Sequence, residues 1–99
     1  MQNKYAVKLY QRALRDLDRI YQYIYDQVPE YAENQVDRLE NGIFSLEEYP
    51  YRCAERKTGR YANHGYRELI VDNYIVICKI HERKKEVVIV TVQHVRRDV

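Results

Sequence analysis

Hydrophobic and polar positions change their spacing twice along this chain. Tyr5, Val7 and Leu9 alternate with Lys4, Ala6 and Lys8, the two-residue period of a half-buried strand. The period then lengthens: Ala13, Leu14, Leu17, Ile20, Tyr21 and Ile24 follow helical spacing, with Arg12, Arg15, Asp16, Asp18 and Arg19 on the other side. Val28-Pro29 interrupts it, because proline fits the first turn of a new helix better than the interior of an old one. Ala32, Val36, Leu39, Ile43 and Leu46 predict that second helix over residues 29–48, stopped at Tyr49-Pro50. Gly42 inside it costs about 1 kcal/mol relative to alanine, so close packing is expected there.

After residue 65 the short period returns. Tyr66 to Val71, Tyr74 to His81 and Glu86 to His94 read as three strands, joined by Asp72-Asn73, a pair that tolerates positive φ, and by a polar turn. The pattern therefore predicts one α+β domain over residues 1–99: an antiparallel sheet in chain order β-α-α-β-β-β, with a helix hairpin on one face. Leu14, Leu17, Val36, Leu39 and Ile43 are expected to share its core. The last two strands are apolar on both faces, and a hairpin covers only one. Ile75, Ile77, Lys79 and Ile89 are assigned to an uncovered face that binds a partner or a second copy in a homodimer. The competing arrangement is that residues 51–63 fold back over it.

Composition narrows the class. Hydrophobic residues at 45% and charged residues at 32% describe a soluble chain, and no apolar run approaches the ~18 residues of a membrane span. The first five residues have no apolar signal region, so a cytoplasmic protein without membrane association is expected. Cys53 and Cys78 match no zinc spacing and are expected to be reduced; His64, His81 and His94 are scattered, so neither a metal nor a cofactor is expected. The net charge of +2 hides a division. Residues 1–50 carry six Lys/Arg and nine Asp/Glu, whereas residues 51–99 carry eleven and six. Arg56, Lys57 and Arg60 on a glycine-containing loop, with Arg96 and Arg97 at the end of the last strand, would make a surface for phosphate or an acidic partner if loop and tail converge.

Several short motifs recur here in a familiar order. Ala13-Leu14-Arg15-Asp16-Leu17-Asp18-Arg19-Ile20 fits Ala-x-x-Asp-Leu-x-x-Ile in the first helix, and Leu46 to Pro50 fits Leu-x-x-x-Pro after the second. Tyr66-Arg67 opens the first of the late strands, and His94-Val95-Arg96-Arg97-Asp98 closes the last. Together they resemble the RelE/ParE superfamily of bacterial toxins, whose members are neutralised by a cognate antitoxin that covers toxin surface. One departure is Tyr10-Gln11 at the first helix start, where the family often has serine or threonine, the better capping residues.

The resemblance implies one of two targets. RelE-like members cut mRNA on the ribosome, and that chemistry needs a proton acceptor, cations for the charge on phosphorus and an acid for the leaving oxygen. Ile75 stands where such sequences place an arginine after Tyr74. ParE-like members inhibit DNA gyrase and share the His-x-Arg-Arg-Asp ending, which favours that branch. Under the endonuclease reading, His94 would be the catalytic acid or base, with Arg67, Arg96 or Arg97 on the phosphate. Arg67 has a structural reading too, as an ion-pair partner within the sheet. A third reading is a non-toxic binding module that keeps only antitoxin binding.

Overall fold

The computed structural model describes residues 4–97, with side chains as far as Arg96. Strand β1 (Ala6–Leu9) leads through Tyr10 into helix α1 (Gln11–Gln27), and Val28 alone separates it from α2 (Pro29–Phe44). β2 (Ala54–Glu55), β3 (Tyr66–Val71), β4 (Tyr74–His81) and β5 (Glu86–His94) follow, with short 3-10 turns around them. The five strands form one sheet in the order β1-β5-β4-β3-β2.

The late strands make the expected antiparallel meander, but β1 lies parallel to β5, with Ala6 opposite Glu86 and Leu9 opposite Ile89. The sheet is therefore mixed, not antiparallel. The helix hairpin carries the chain from β1 to the far edge, and the meander walks back until β5 points the same way as β1. β2 is an addition that residues 54–55, too short for a period, did not announce. At the β3–β4 turn Asp72 takes the left-handed conformation (φ 54°), which a short polar side chain tolerates.

Proline at its first turn starts α2, while α1 has no side-chain cap at Tyr10. The Tyr10 amide instead donates to Ile89 O at 2.9 Å, so β5 fixes the start of α1. α2 ends at Phe44, short of residue 48. A 3-10 turn over Ser45–Glu47 follows, with the Ser45 hydroxyl donating to Gly42 O at 2.6 Å. Ala13, Leu17, Leu39, Ile43 and Leu46 pack on Val76, Cys78, Val87, Ile89 and Val92 of the sheet. Leu14 departs from the expectation: it is 49% exposed, because the buried stripe of α1 is centred on Ala13 and Leu17. Val36 is half-buried. At Gly42 the expected tight contact is present, since a Cβ there would lie 2.9 Å from Val71 Cγ2.

The second face is where sequence and structure part. Ile77 pairs with Thr91 and Cys78 with Ile89, leaving Val90 as the extra residue of a bulge. The bulge shifts the phase of β5. Ile89 consequently belongs to the helix-covered core, and Val90 joins Ile75 and Ile77 on the other side. That second face is closed over Ile75 and Ile77 but open at its β3 edge, where Ile70, opposite Ile75, is exposed. Tyr61 and Tyr66 pack onto it and leave Ile75 and Ile77 buried, with Lys79 half-buried and its Nζ 4.9 Å from the centre of the Tyr66 ring. Tyr61, from the residues 51–63 of the competing arrangement, and Tyr66 of β3 thus supply the cover, and Ile75 and Ile77 are not open to a partner or a second copy.

Asp16 serves the edge of β5 beyond the end of its pairing with β1. Its Oδ2 accepts from the Val92 amide at 3.0 Å and from the Thr91 hydroxyl. A strand donor beside the bulge would otherwise lack a partner. The aspartate of the α1 motif therefore acts structurally, joining the helix to β5.

Candidate functional site

The basic loop and tail do not come together. Tyr66, where the loop joins β3, lies opposite Lys79, whereas His94 lies opposite Tyr74. Those partners are five residues apart on β4, or about 17 Å along the strand. Lys57 and Arg60 are exposed near one end of the sheet, and Arg96 is exposed at the other. The side chain of Arg97, and all of Asp98, lie outside the described residues.

Arg56, expected on the target-binding surface, is 3% exposed. Its Nη1 donates to Glu68 Oε2 at 3.0 Å and its Nε to Arg60 O at 3.0 Å. Its backbone donates to Tyr66 O and accepts from Asn63 N. Arg56 holds the loop over the second face and is not available to phosphate. Arg67 is similarly occupied: Nη1 donates to Cys53 O at 2.7 Å, and the guanidinium lies 5.1 Å from the centre of the Tyr51 ring. It lies opposite Cys78, four β4 residues from His94's partner, about 13 Å along the strand. Arg67 and His94 do not form a pair around one phosphate.

His94 shapes the tail. Its ring meets Tyr74 edge-on, with centroids 5.3 Å apart, and its Nδ1 accepts from the Arg96 amide at 3.1 Å. The Val95 amide donates to Asn73 O at 2.9 Å. These contacts turn the chain into a 3-10 turn over Val95–Arg97 and leave Arg96 exposed at its surface.

Next to this turn is an open groove of about 500 Å³, lined by Ile24 and Tyr31 of the hairpin, Arg38, and Asp72 to Tyr74. Arg38 grips Asp72 with two hydrogen bonds, 2.9 and 2.7 Å, and Gln35 adds a third at 3.0 Å. The Arg38 bonds, then the Gln35 bond, hold the Asp72 carboxyl below its usual range. Groove and tail share Asn73 and Tyr74, so this end of the molecule presents a mouth of mixed polarity with a cation at its rim. Sequence reasoning missed the groove because α2 residues form it only when they meet the β3–β4 turn. The exposed Tyr31, on an otherwise polar helix face, was its one available sign.

Cys53 and Cys78 are buried free thiols in the helix-side core. A hydrogen bond from Cys78 lowers the Cys53 thiol to about 7, assisted by Arg52 and Arg67, while the same pairing and burial push Cys78 upward. Among the described residues no three His, Cys, Asp or Glu side chains gather as metal ligands, and no helix is long and apolar enough to cross a membrane.

A mixed sheet with a helix hairpin on one face and a folded-back loop on the other defines a RelE/ParE-type toxin fold. Residues 7–99 match the family model described as the ParE toxin of the type II toxin–antitoxin system, parDE, and the chain belongs to that family. Two solved structures share the fold. The chromosomal ParDE toxin–antitoxin system from P. aeruginosa has a chain similar at TM-score 0.78 and 22% identity, covering 95% of this chain and 99% of that one. The RelBE2 toxin–antitoxin complex (Rv2865-2866) from Mycobacterium tuberculosis is similar at TM-score 0.60 and 24% identity, covering 92% and 91%. No curated protein matches the chain.

Proposed function

We propose that this toxin-family chain arrests growth in the manner of ParE, by inhibiting DNA gyrase in the cytoplasm, and that a cognate antitoxin neutralises it. The observation that carries the reading is the C-terminal turn: Arg96 is presented to solvent by His94 and Asn73. RNA cleavage is disfavoured by the same geometry. His94 spends Nδ1 on the Arg96 amide, Arg67 is engaged with Cys53 and Tyr51, and Ile75 is buried where the endonuclease branch has an arginine. Among the described side chains that leaves Arg96 to offset the charge that builds on phosphorus, fewer cations than the endonuclease chemistry calls for. The family match over residues 7–99 and the higher TM-score of the ParDE chain support the same branch.

The test is induced expression in a bacterial host. The wild-type chain should stop growth with DNA-damage signalling, and Arg96→Ala with Arg97→Ala should relieve the arrest without loss of folding. His94→Ala should matter less. Ribosome-bound mRNA cut in the presence of this protein, with cutting abolished by His94→Ala, would establish the endonuclease reading instead. No growth effect, with antitoxin binding retained, would leave the binding-module reading.

A further inference from the structure

The two flanks of α1 are unlike. Around the buried stripe of Ala13 and Leu17, one flank carries Tyr10, Leu14, Tyr21 and Tyr25, and the other carries Arg12, Arg15 and Arg19. The arginines and Asp16 line a cleft of about 260 Å³ to which, among the described residues, no apolar one contributes. Among the described residues Asp16 is the only acid in the cleft, and its carboxylate is already engaged. Oδ2 takes the Val92 amide and the Thr91 hydroxyl, while Oδ1 stands 3.9 Å from Arg19. Among the described residues Arg12 has no acidic partner, and Arg15 reaches only Gln11, at 3.5 Å. Three like charges in one cleft repel one another, and the single carboxylate beside Arg19 offsets that repulsion only in part.

Its position gives the cleft a context. β1 pairs with β5 only from Glu86 to Ile89, and α1 runs on beside the unpaired remainder, with Asp16 on Val92. Arg12 and Arg19 are about 10 Å apart along the helix axis. The row therefore follows the open edge of β5 toward the turn that carries Arg96.

We infer that Arg12, Arg15 and Arg19 form a phosphate-binding cup for the sugar–phosphate backbone of duplex DNA. Guanidinium groups suit phosphate oxygens, which they bind in pairs through parallel N–H donors. A row of about 10 Å is long enough to reach neighbouring phosphates of one strand. Among the described residues no aromatic ring lines the cleft to stack an unpaired base, which favours a duplex over a single strand. The absence of an apolar lining argues against a peptide, whose anchors need desolvated pockets. This site does not depend on gyrase being the target: binding is read on purified protein and growth arrest in cells, so each can fail without the other.

Fluorescence anisotropy with a labelled 20-base-pair duplex of mixed sequence tests it on the whole chain. At about 50 mM salt, Arg12→Gln with Arg19→Gln should weaken binding about tenfold or more and flatten the log–log salt dependence by about 2. A charge-matched control, Arg83→Gln with Lys84→Gln in the exposed β4–β5 turn, should stay within about twofold of wild type, and melting curves of all three proteins should agree. Equal losses in both double variants would reduce the effect to net charge and overturn the cup. So would an absence of duplex binding by the wild type. Tighter binding of a single-stranded RNA of the same length would overturn the choice of duplex. Displacement by polyglutamate at equal charge concentration would replace nucleic acid with an acidic protein partner.

Discussion

The two faces of the sheet are closed by different means. On the first, two amphipathic helices lay Leu39, Ile43 and Ala13 onto Val76, Val87 and Ile89, and burial of apolar surface suffices. On the second, Ile75, Ile77 and Val90 form a small buried cluster, closed by Tyr61 of an irregular loop and Tyr66 of β3, with Arg56 tying that loop down. That loop bends through left-handed residues at Gly59, Tyr61, Asn63 and Gly65. For Tyr61 such a backbone is costly, of order 1–3 kcal/mol, and it persists because the ring is held against Tyr66 at 5.0 Å. Regular structure closes a face through many small contacts, whereas the loop relies on a few specific ones. The first cover should therefore fail globally and the second locally.

Ile43→Ala should give the largest loss, about 3 kcal/mol in urea denaturation, with a single cooperative transition, because a fully buried side chain leaves a cavity between α2 and the sheet. Arg56→Met should cost about 2 kcal/mol. The figure lies below that for a fully buried pair because Glu68 keeps 23% exposure. Here hydrogen exchange should rise at the Asn63 and Arg56 amides and cleavage should begin within residues 57–65, while β5 stays protected. If β5 opened equally, the two faces would be one cooperative unit and the contrast would be wrong. Gly42→Ala is a finer probe of the first face. Helix propensity predicts a gain of about 1 kcal/mol, but the 2.9 Å approach to the stiff Val71 side chain should reverse the sign to a loss of about 1 kcal/mol.

The smallest effect is expected at the rim, where Glu82 accepts from Lys85, from Tyr5 at 2.7 Å and from Tyr51 at 2.8 Å. The Lys85 bond, then those tyrosines, lower the Glu82 carboxyl from 4.5 to about 2. A depressed acid contributes stability above its unfolded value and loses it as pH falls through the folded one. Wild type and Glu82→Gln should therefore differ above pH 4.5 and converge toward pH 2 in acid titrations of thermal stability. The difference should be slight, since the group is solvent-exposed and screened.

What the chain discloses beforehand follows the same division. Helices and late strands are legible because their apolar spacing repeats over several turns or residues, and Gly42 announces its packing by breaking a propensity rule. Alternation misplaces Ile89, because residues 87–92 are apolar almost throughout and carry no phase, so the bulge at Val90 leaves no trace. Arg56 reads as surface because a buried arginine depends on Glu68, twelve positions away on another element. The tail motif is visible as residues, but its separation from the loop is a property of strand register. The α1 arginines read only as a solvated side, since helical spacing alone does not reveal a cleft against β5.

The pairing of β1 with β5 has a consequence in time. Ala6 must wait for Glu86, so the chain closes a loop of about 80 residues before its first strand is seated. β5 also supplies the middle of the sheet, and α1 takes its first hydrogen-bonded anchor from Ile89. A nascent chain that has not yet released β5 from the ribosome holds a helix hairpin without Val87, Ile89 and Val92 to pack on, and a message broken upstream of that strand yields no sheet centre. Competence to fold is therefore withheld until the last of the five strands has been made.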